Sequence, residues 1–571
     1  MSQFPTALRQ EVRIIIDGIL GSPWIAPLFF LMVACLHPDV PGLYMDSVNP
    51  DYISVFVTHA RGWVPAWIYQ DNIFAPGYKY PLLNSLYGGN VTGYIAAVFF
   101  SFFGYGVTAL RIYHALIGVS LVFVVYSLIL FGTGSRGWAS IATTVFAIDP
   151  AFIFAWRTQY YLQLFPLLAF LPGVLILSRS LNEDRRFGKI FFAGVLIGLS
   201  AFFYFIFALY AAVILAVLIY LCRLQRRPVL RPGIWYVVGV VIGYLPYIYA
   251  HASIIAQEGM QGWLQNLRSL QNSYGVMNGQ KETLLDRVSY TLHVIFHVFG
   301  GNPIERLFFA GMPSQNTNTN AILTSKLDYG AWLVVLAWVA TIAWVGLGAR
   351  WRQGIGPLKN SFVLAVMLLA VMVTHVCFGA FMGSPLGYQH YVMLGPIFAI
   401  AGIVGVAALA TELGPRNPRI RIPFRGLALA SLGVIALAHT ARDAFLYRQL
   451  EVTGGVGVYS DAINRLAAYS FDAPPDTVFA FPQWGYWMGF VVATGGRQEV
   501  WANGNVDDLI KRINSAGARQ HYMIILQPKV LDSAMAQLRE EGHLVDVKSY
   551  PIKDRSGEVV VVATLWDPKP D

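Results

Sequence analysis

The stretch that decides the fold is Tyr-Met-Asp-Ser-Val-Asn-Pro-Asp-Tyr at residues 44–52, which follows the first apolar segment of the chain. Two carboxylates, Asp46 and Asp51, lie close to the point where a membrane helix should emerge into water. Pro50 prevents one continuous helix between them. An acidic side chain at a membrane boundary is costly to hold, so this stretch indicates a functional site.

The composition outside this stretch is that of a polytopic membrane protein. Of 571 residues, 56% are hydrophobic and 12% are charged, whereas soluble domains are about 25% charged. The mean hydropathy is +0.53, and apolar runs of about 20 residues predict about eleven membrane helices. The three cysteines all lie in apolar runs, which argues against a disulfide framework or a zinc cluster. The spans are expected near 23–37, 107–131, 137–152, 158–179, 187–203, 205–222, 233–250, 331–349, 360–382, 387–410 and 426–446.

The distribution of basic residues predicts the orientation of these helices. Arginine and lysine collect in alternate loops, and the positive-inside rule places those loops in the cytoplasm. The N-terminus is then cytoplasmic, with residues 1–21 leading into an uncleaved anchor rather than a signal peptide. The net charge of +9 reports this topology, so we expect no nucleic-acid partner. An integral protein of a bacterial inner membrane fits the pattern.

The chain divides by composition into two predicted domains. Residues 1–447 form a transmembrane catalytic domain with outer loops at 38–106 and 251–330, and 448–571 form a soluble α/β domain on the periplasmic side. Gly93–Phe103 is apolar but too short to span, so it is expected to be a surface or re-entrant helix. In the second domain we predict strands at Thr477–Phe481, Tyr522–Leu526, Val545–Ser549 and Val559–Leu565, and helices at Asp461–Ala468, Val506–Ser515 and Leu531–Glu541.

The acids of the opening stretch allow two interpretations. Asp51 suits a helix N-cap, because short polar side chains satisfy the free N–H groups of a first turn. Asp46 follows an apolar segment and comes too early to cap a helix that begins near residue 51. A carboxylate in that partly desolvated place can act as a general base on an acceptor hydroxyl. Asp149, before Pro150, either lines the same outer cavity or only ends its helix.

Two cations on the same side of the membrane also have two interpretations. Lys79 and Arg157 are flanked by aromatic residues near the outer boundary. Each either snorkels within an aromatic belt or contributes to a site for a lipid phosphate. His390 and Tyr391, at the start of a late span, are further candidate donors. No metal site is expected, since the i, i+4 pair His293 and His297 lacks the glutamate of a metalloprotease motif.

The order of these motifs resembles the GT-C superfamily of polytopic glycosyltransferases, in the branch of protein O-mannosyltransferases and lipid A aminoarabinose transferases. An acidic motif followed by a helix near a tyrosine is matched by Asp46 and Tyr52. A Lys-Pro-Pro-Leu-like segment is matched by Lys79-Tyr80-Pro81-Leu82-Leu83. Ser47 replaces the usual glutamate of the motif, so a second acid would be Asp51 or Asp149. The match continues through Phe103-Gly104, Arg111, Asp149-Pro150, Arg157, His390-Tyr391 and Pro396, with Gln159 where the family often has an acid.

The resemblance implies an inverting transferase that moves a sugar from a polyprenyl-phosphate donor to a lipid, glycan or protein acceptor outside the membrane. In that mechanism Asp46 deprotonates the acceptor, with Asp51 and Asp149 as further candidate acids. Lys79, Arg157, Tyr52, Tyr80, Gln159, His390 and Tyr391 are the expected substrate-binding residues. We expect no cofactor and no metal requirement, because lone aspartates make a poor cation cage. The rival interpretations are an O-antigen ligase or polymerase, or a non-catalytic transporter or scaffold for the same lipids.

Overall fold

The computed structural model shows a mainly helical protein with a mixed sheet near its C-terminal end. It describes residues 21–58, 82–158, 160–181, 183, 187–273, 283–309, 329–350, 359–383, 386–413, 418–483, 485–502, 505–516, 521–541 and 544–568.

Helices of the membrane part follow the predicted apolar runs. Within the residues that the structure describes, eight segments are long and apolar enough to cross a bilayer, namely α4, α7 with α8, α10, α11, α14, α15, α16 and α17 as bounded below. This is an integral membrane protein, but the count of eleven spans is not confirmed because α1, α5 and α9 are too short by the same measure. The helices are α1 (Ile25–Ala34), α2 (Ile53–Thr58), α3 (Val91–Phe103), α4 (Val107–Thr133), α5 (Arg136–Ala147), α6 (Pro150–Ala155), α7 (Tyr161–Leu164), α8 (Leu167–Ser180), α9 (Phe187–Phe203), α10 (Ile206–Leu224), α11 (Leu230–Ser273), α12 (Leu284–Ile295), α13 (Asn302–Phe309), α14 (Tyr329–Arg350), α15 (Asn360–Met382), α16 (Leu394–Leu413) and α17 (Pro418–Thr453).

Glycine residues allow helices α9 and α11 to pack closely. Gly194 and Gly198 on α9 face Gly239 and Gly243 on α11. A Cβ at any of the four would overlap main-chain atoms of the opposite helix. Small residues four apart let membrane helices pack backbone to backbone, so this pair is a rigid, dry part of the bundle.

Two short helices, α2 and α3, lie within the first predicted outer loop, residues 38–106. Helix α3 has 13 residues, about 20 Å at 1.5 Å per residue, which is too short to span the apolar core. Its contacts with α2 and α4 hold it beside the bundle. The prediction of a short helix at Gly93–Phe103 is therefore confirmed, and its surface or re-entrant position stays a prediction. The β-hairpin of β1 (Leu83–Ser85) and β2 (Gly88–Gly89) precedes α3.

A five-stranded sheet with helices on both faces forms the C-terminal region. The strand order is β4-β3-β5-β7-β6, with β3 parallel to β4 and β5, and β7 antiparallel to β5 and β6. Strand β4 and the helix before it were not predicted from the sequence. The elements are α18 (Ala462–Tyr469), β3 (Val478–Phe481), α19 (Trp487–Thr494), β4 (Glu499–Ala502), α20 (Val506–Ala516), β5 (Tyr522–Leu526), α21 (Pro528–Glu541), β6 (Leu544–Lys553) and β7 (Val559–Pro568).

The two faces of this sheet have different neighbours. Alternate residues of each strand point to opposite faces, and Val478 and Ala480 face α20 and α21 in a small separate core. Phe479 and Phe481 belong instead to the large hydrophobic cluster that also contains Phe30 of α1. One face of the sheet therefore shares its core with the membrane part, and α17 runs continuously past the predicted domain boundary at residue 447. The division into two domains stays a prediction.

Candidate functional site

Asp46 lies in a short 3-10 turn, Met45–Ser47, in the segment after α1. Its side chain is half-buried. Burial raises the pKa of the Asp46 carboxyl above its ordinary value, and a hydrogen bond with the side chain of Tyr44 opposes this shift. A partly exposed carboxylate with a raised pKa keeps access to substrate while remaining a competent base near neutral pH.

Asp51, only five residues later, lies in a closed environment. The residue is fully buried, and its Oδ2 is 2.7 Å from His114 Nε2 on α4. His114 Nδ1 is 3.0 Å from the carbonyl oxygen of Trp156, which can only accept, so Nδ1 donates there. The ring of Tyr161 stacks on His114 at 4.1 Å. Asp51 therefore ties the start of α2 to the bundle.

Asp149 is also buried, at 1% exposure. Its Oδ1 accepts hydrogen bonds from the backbone N–H of Ala151 at 3.2 Å and of Gly300 at 2.9 Å. The first contact caps α6, as expected for an aspartate before a proline at the first helical position. Asp46 is thus the one member of the three predicted acids that retains exposed surface.

Arg157 donates its hydrogen bonds to backbone carbonyl oxygens at and beyond the end of α1. It is 2% exposed, and Nη1 donates to the carbonyl oxygens of His37 at 2.9 Å and Val40 at 2.6 Å. Nη2 donates to those of Ala34 at 2.7 Å and Leu36. These carbonyls lie at and beyond the end of α1, where a helix leaves its last acceptors unsatisfied. Because both terminal nitrogens are occupied, we do not retain Arg157 as a phosphate ligand.

Other predicted residues separate into three groups. Lys79, Tyr80 and Gln159 lie outside the described residues. Tyr52 is buried, with its ring at 5.3 Å from that of Trp487 on α19, which indicates a packing role. His390 and Tyr391 fall in the loop before α16 and belong to a polar cluster between helices.

That cluster pairs tyrosines of α10 and its N-terminal turn with histidines across the bundle. Tyr204 is hydrogen-bonded to His390 Nδ1, and Tyr210 to His375 Nδ1. Tyr391 OH is 3.4 Å from Thr291 Oγ1. The sequence analysis missed Tyr204, Tyr210 and His375. A histidine inside a long apolar span was the available signal for His375, since such residues rarely lie in membrane helices without a function or a partner.

His293 on α12 and His297 in the turn after it both have hydrogen-bond partners within the protein. His297 Nδ1 is 2.5 Å from the carbonyl oxygen of His293, and His293 Nε2 is 3.1 Å from Tyr388 OH. Across the part of the chain that the structure describes, no three His, Cys, Asp or Glu side chains gather as metal ligands would.

An apolar cleft of about 280 Å³ opens between α5, α14, α16 and α17. On α5 it extends from Trp138 to Phe146, about 12 Å at 1.5 Å per residue, and it continues to Asp149 beyond the end of that helix. Its lining is apolar except for Ser431 and for the end formed by Asp149 and His439, whose Oδ1 and Nε2 atoms are 3.9 Å apart. The length and lining fit a lipid chain, while the carboxyl end does not favour an anionic headgroup.

Known structures with a similar fold include ArnT from Cupriavidus metallidurans, solved bound to undecaprenyl phosphate and in the apo state. The superposition with the complex covers 94% of this chain and 97% of that one, with a TM-score of 0.52 and 12% sequence identity. The apo structure gives a TM-score of 0.53, also at 12% identity, over 94% of this chain and 96% of that one. The chain has the ArnT fold.

The ArnT likeness extends over both the membrane helices and the C-terminal sheet, since only 6% of the chain lies outside it. The GT-C-like architecture that the motif order predicted is thereby confirmed at the level of the fold. The chain matches no family model, and no curated protein matches it.

Proposed function

We propose that this protein is a lipid-linked sugar transferase of the GT-C type. The observation that carries the proposal is the ArnT fold over 94% of this chain. ArnT itself has been solved in complex with undecaprenyl phosphate. The donor is a sugar on a polyprenyl phosphate, and the acceptor is a lipid, glycan or protein. The site faces the periplasmic side of a bacterial inner membrane, with the N-terminus in the cytoplasm.

Asp46 is the proposed general base. Among the three candidate acids it alone combines exposed surface with a burial-raised pKa. It takes the proton of the acceptor hydroxyl as that oxygen attacks the anomeric carbon from the face opposite the phosphate. The bond to the phosphate breaks on the other face, so the anomeric configuration inverts. Phosphate is a good leaving group, and the step needs no strong general acid.

The developing phosphate charge requires a cation, and Lys79 is the proposed one now that Arg157 is assigned to the end of α1. Hydroxyl and imidazole groups of the cluster around Tyr204 and His390 are proposed to bind the donor headgroup. The apolar tail remains in lipid, and the cleft beside α5 offers one lateral groove of suitable length. Preorganised donors at the leaving phosphate would stabilise the transition state more than the ground state.

A direct assay tests this function with the full chain in lipid nanodiscs. A panel of synthetic polyprenyl-phosphate sugars is offered, and release of polyprenyl phosphate is measured by mass spectrometry with acceptor fractions present. The proposal expects release with at least one donor and binding of polyprenyl phosphate itself. Binding without any release across the panel would favour the transporter or scaffold interpretation, and absence of both would contradict the proposal.

A further inference from the structure

The loop that carries Asp46 is held from two sides. We define the acid loop as residues 37–48. From the membrane side Arg157 binds its carbonyl oxygens, and Arg111 Nη2 donates to that of Pro41 at 2.9 Å. Both arginines are buried and come from the bundle. The other side of the acid loop is covered by the C-terminal region.

Backbone hydrogen bonds dock the acid loop onto that region. The N–H of Gly42 donates to the carbonyl oxygen of Tyr459 at 2.8 Å, and the N–H of Met45 donates to that of Gly485 at 3.1 Å. A Cβ at Gly42 would overlap the carbonyl of Ser460, so these two backbone segments touch without a side chain between them. Met45 directly precedes the proposed base.

One arginine of the C-terminal sheet reaches the same loop. Arg555, in the turn between β6 and β7, donates from Nε to Asp461 Oδ2 at 2.8 Å and from Nη2 to Asp39 Oδ2. Its backbone N–H also donates to Asp461 Oδ1 at 3.2 Å. Asn464 Nδ2 adds a bond to the carbonyl of Asp39 at 2.9 Å. The guanidinium thus joins residue 39 to residues 461 and 555.

Tyr44 provides a short route from this docking surface to the base. Its ring packs against Tyr459 at 5.2 Å, and its side chain is hydrogen-bonded to Asp46. Movement of the C-terminal region away from the acid loop would therefore change both the backbone before Asp46 and the partner of its carboxyl.

We propose that Arg555 is a positioning residue for the transfer reaction, which fixes the acid loop through its fork between Asp39 and Asp461. The proposal rests on the proposed function for its kinetic part only. An arginine fork can hold two carboxylates in fixed directions, whereas a lysine is a point charge that cannot match both. The C-terminal region is then part of the catalytic unit rather than an accessory.

The test compares Arg555→Ala and Arg555→Lys with wild type in nanodiscs, using the full chain. The control is Arg497→Ala, which removes an exposed arginine of the same region that stacks on Phe471. Hydrogen exchange is followed in peptides covering residues 38–48, where the protected N–H groups of Gly42 and Met45 report docking directly. Steady-state kinetics give kcat and the donor KM separately.

Arg555→Ala is expected to speed exchange in the acid loop about tenfold, the size of a lost charge-assisted hydrogen bond. The kcat should fall about a hundredfold, as for a misplaced catalytic group, while the donor KM changes less than about threefold. Arg555→Lys should give the same pattern with smaller effects, and it serves if the alanine variant does not accumulate. Arg497→Ala should change neither quantity.

Unchanged exchange in residues 38–48 would overturn the proposal whatever the activity. Faster exchange with unchanged kcat would also overturn it, because the docking would then not position the base. If wild type neither binds polyprenyl phosphate nor releases it from any donor, the proposed function fails, and the exchange data still decide whether Arg555 holds the acid loop.

Discussion

Asp46 and Asp51 lie five positions apart in the sequence, yet Asp46 is partly exposed and Asp51 is fully buried. Asp46 lies in the docked acid loop with part of its surface exposed, whereas Asp51 is sealed against His114 inside the bundle. An acidic side chain near a membrane boundary can therefore have two uses. It can carry out chemistry at an open surface, or it can attach one element of the fold to another. Each prediction below separates these two uses.

The largest effect is expected for Asp46→Asn. Loss of a general base lowers turnover by about 10²- to 10⁴-fold, while the protein should insert and unfold as wild type does. Transfer assays measure the turnover, and thermal unfolding in detergent measures the stability. Asp532→Asn, at an exposed carboxylate on α21, is the matched control and should leave both unchanged. Near-normal turnover of Asp46→Asn would remove Asp46 from the mechanism.

Asp51→Ala should act on stability instead. It leaves His114 buried without its acidic partner, and breaking a buried pair in this way costs about 3–5 kcal/mol. The thermal unfolding midpoint should fall, with the loss partly relieved in the double variant Asp51→Ala, His114→Phe. A variant of normal stability that lacks transfer would show that Asp51 takes part in the chemistry.

Arg157→Lys tests the corresponding difference between the cations. Four carbonyl oxygens share the Arg157 guanidinium, and a lysine cannot reach all of them in the same geometry. Each hydrogen bond to a charged group is worth about 1.5–3 kcal/mol, so stability should fall by at least about 2 kcal/mol. Affinity for polyprenyl phosphate, measured by native mass spectrometry, should stay the same. Normal stability with weakened lipid binding would restore the phosphate role.

The pH dependence of kcat should report the environment of Asp46, with a smaller effect than the substitutions above. A general base acts when deprotonated, so kcat falls as pH falls through its pKa. Because burial raises that pKa, the acid limb should be centred above the ordinary aspartate value of about 3.9. A kcat that stays level down to about pH 4 would contradict a buried base at this position.

The smallest expected effect is that of chelation. If aspartates without histidine or glutamate partners do not hold a divalent cation, EDTA treatment should leave transfer unchanged within error. Loss of activity on chelation, with recovery on adding a divalent cation, would assign Asp46 a metal-binding role instead.

Much of the fold was predictable because long apolar runs for helices and short apolar runs for buried strands are local signals. The limits of α9 and α15 agree with the predicted spans, and β5 agrees residue for residue. Helix α19 was missed because a short, fully buried apolar helix has no amphipathic period to detect.

The site was only partly predictable, since its contacts join distant parts of the chain. Asp46 was identified because its position in the chain fits no capping role. The role of Asp51 depends on His114, which lies 63 residues away. That of Arg157 depends on carbonyl oxygens at and beyond the end of α1, which lie up to 123 residues away. Arg555 lies 516 residues from Asp39, and its sequence context shows no sign of that contact.

The most direct test is native mass spectrometry of the lipid that purifies with wild type and with Asp46→Asn. If Asp46 is the base of a lipid-linked sugar transferase, the variant should retain polyprenyl phosphate with its sugar attached, and wild type should carry mainly the sugar-free phosphate. The same lipid in both proteins, or no polyprenyl phosphate in either, would contradict the account.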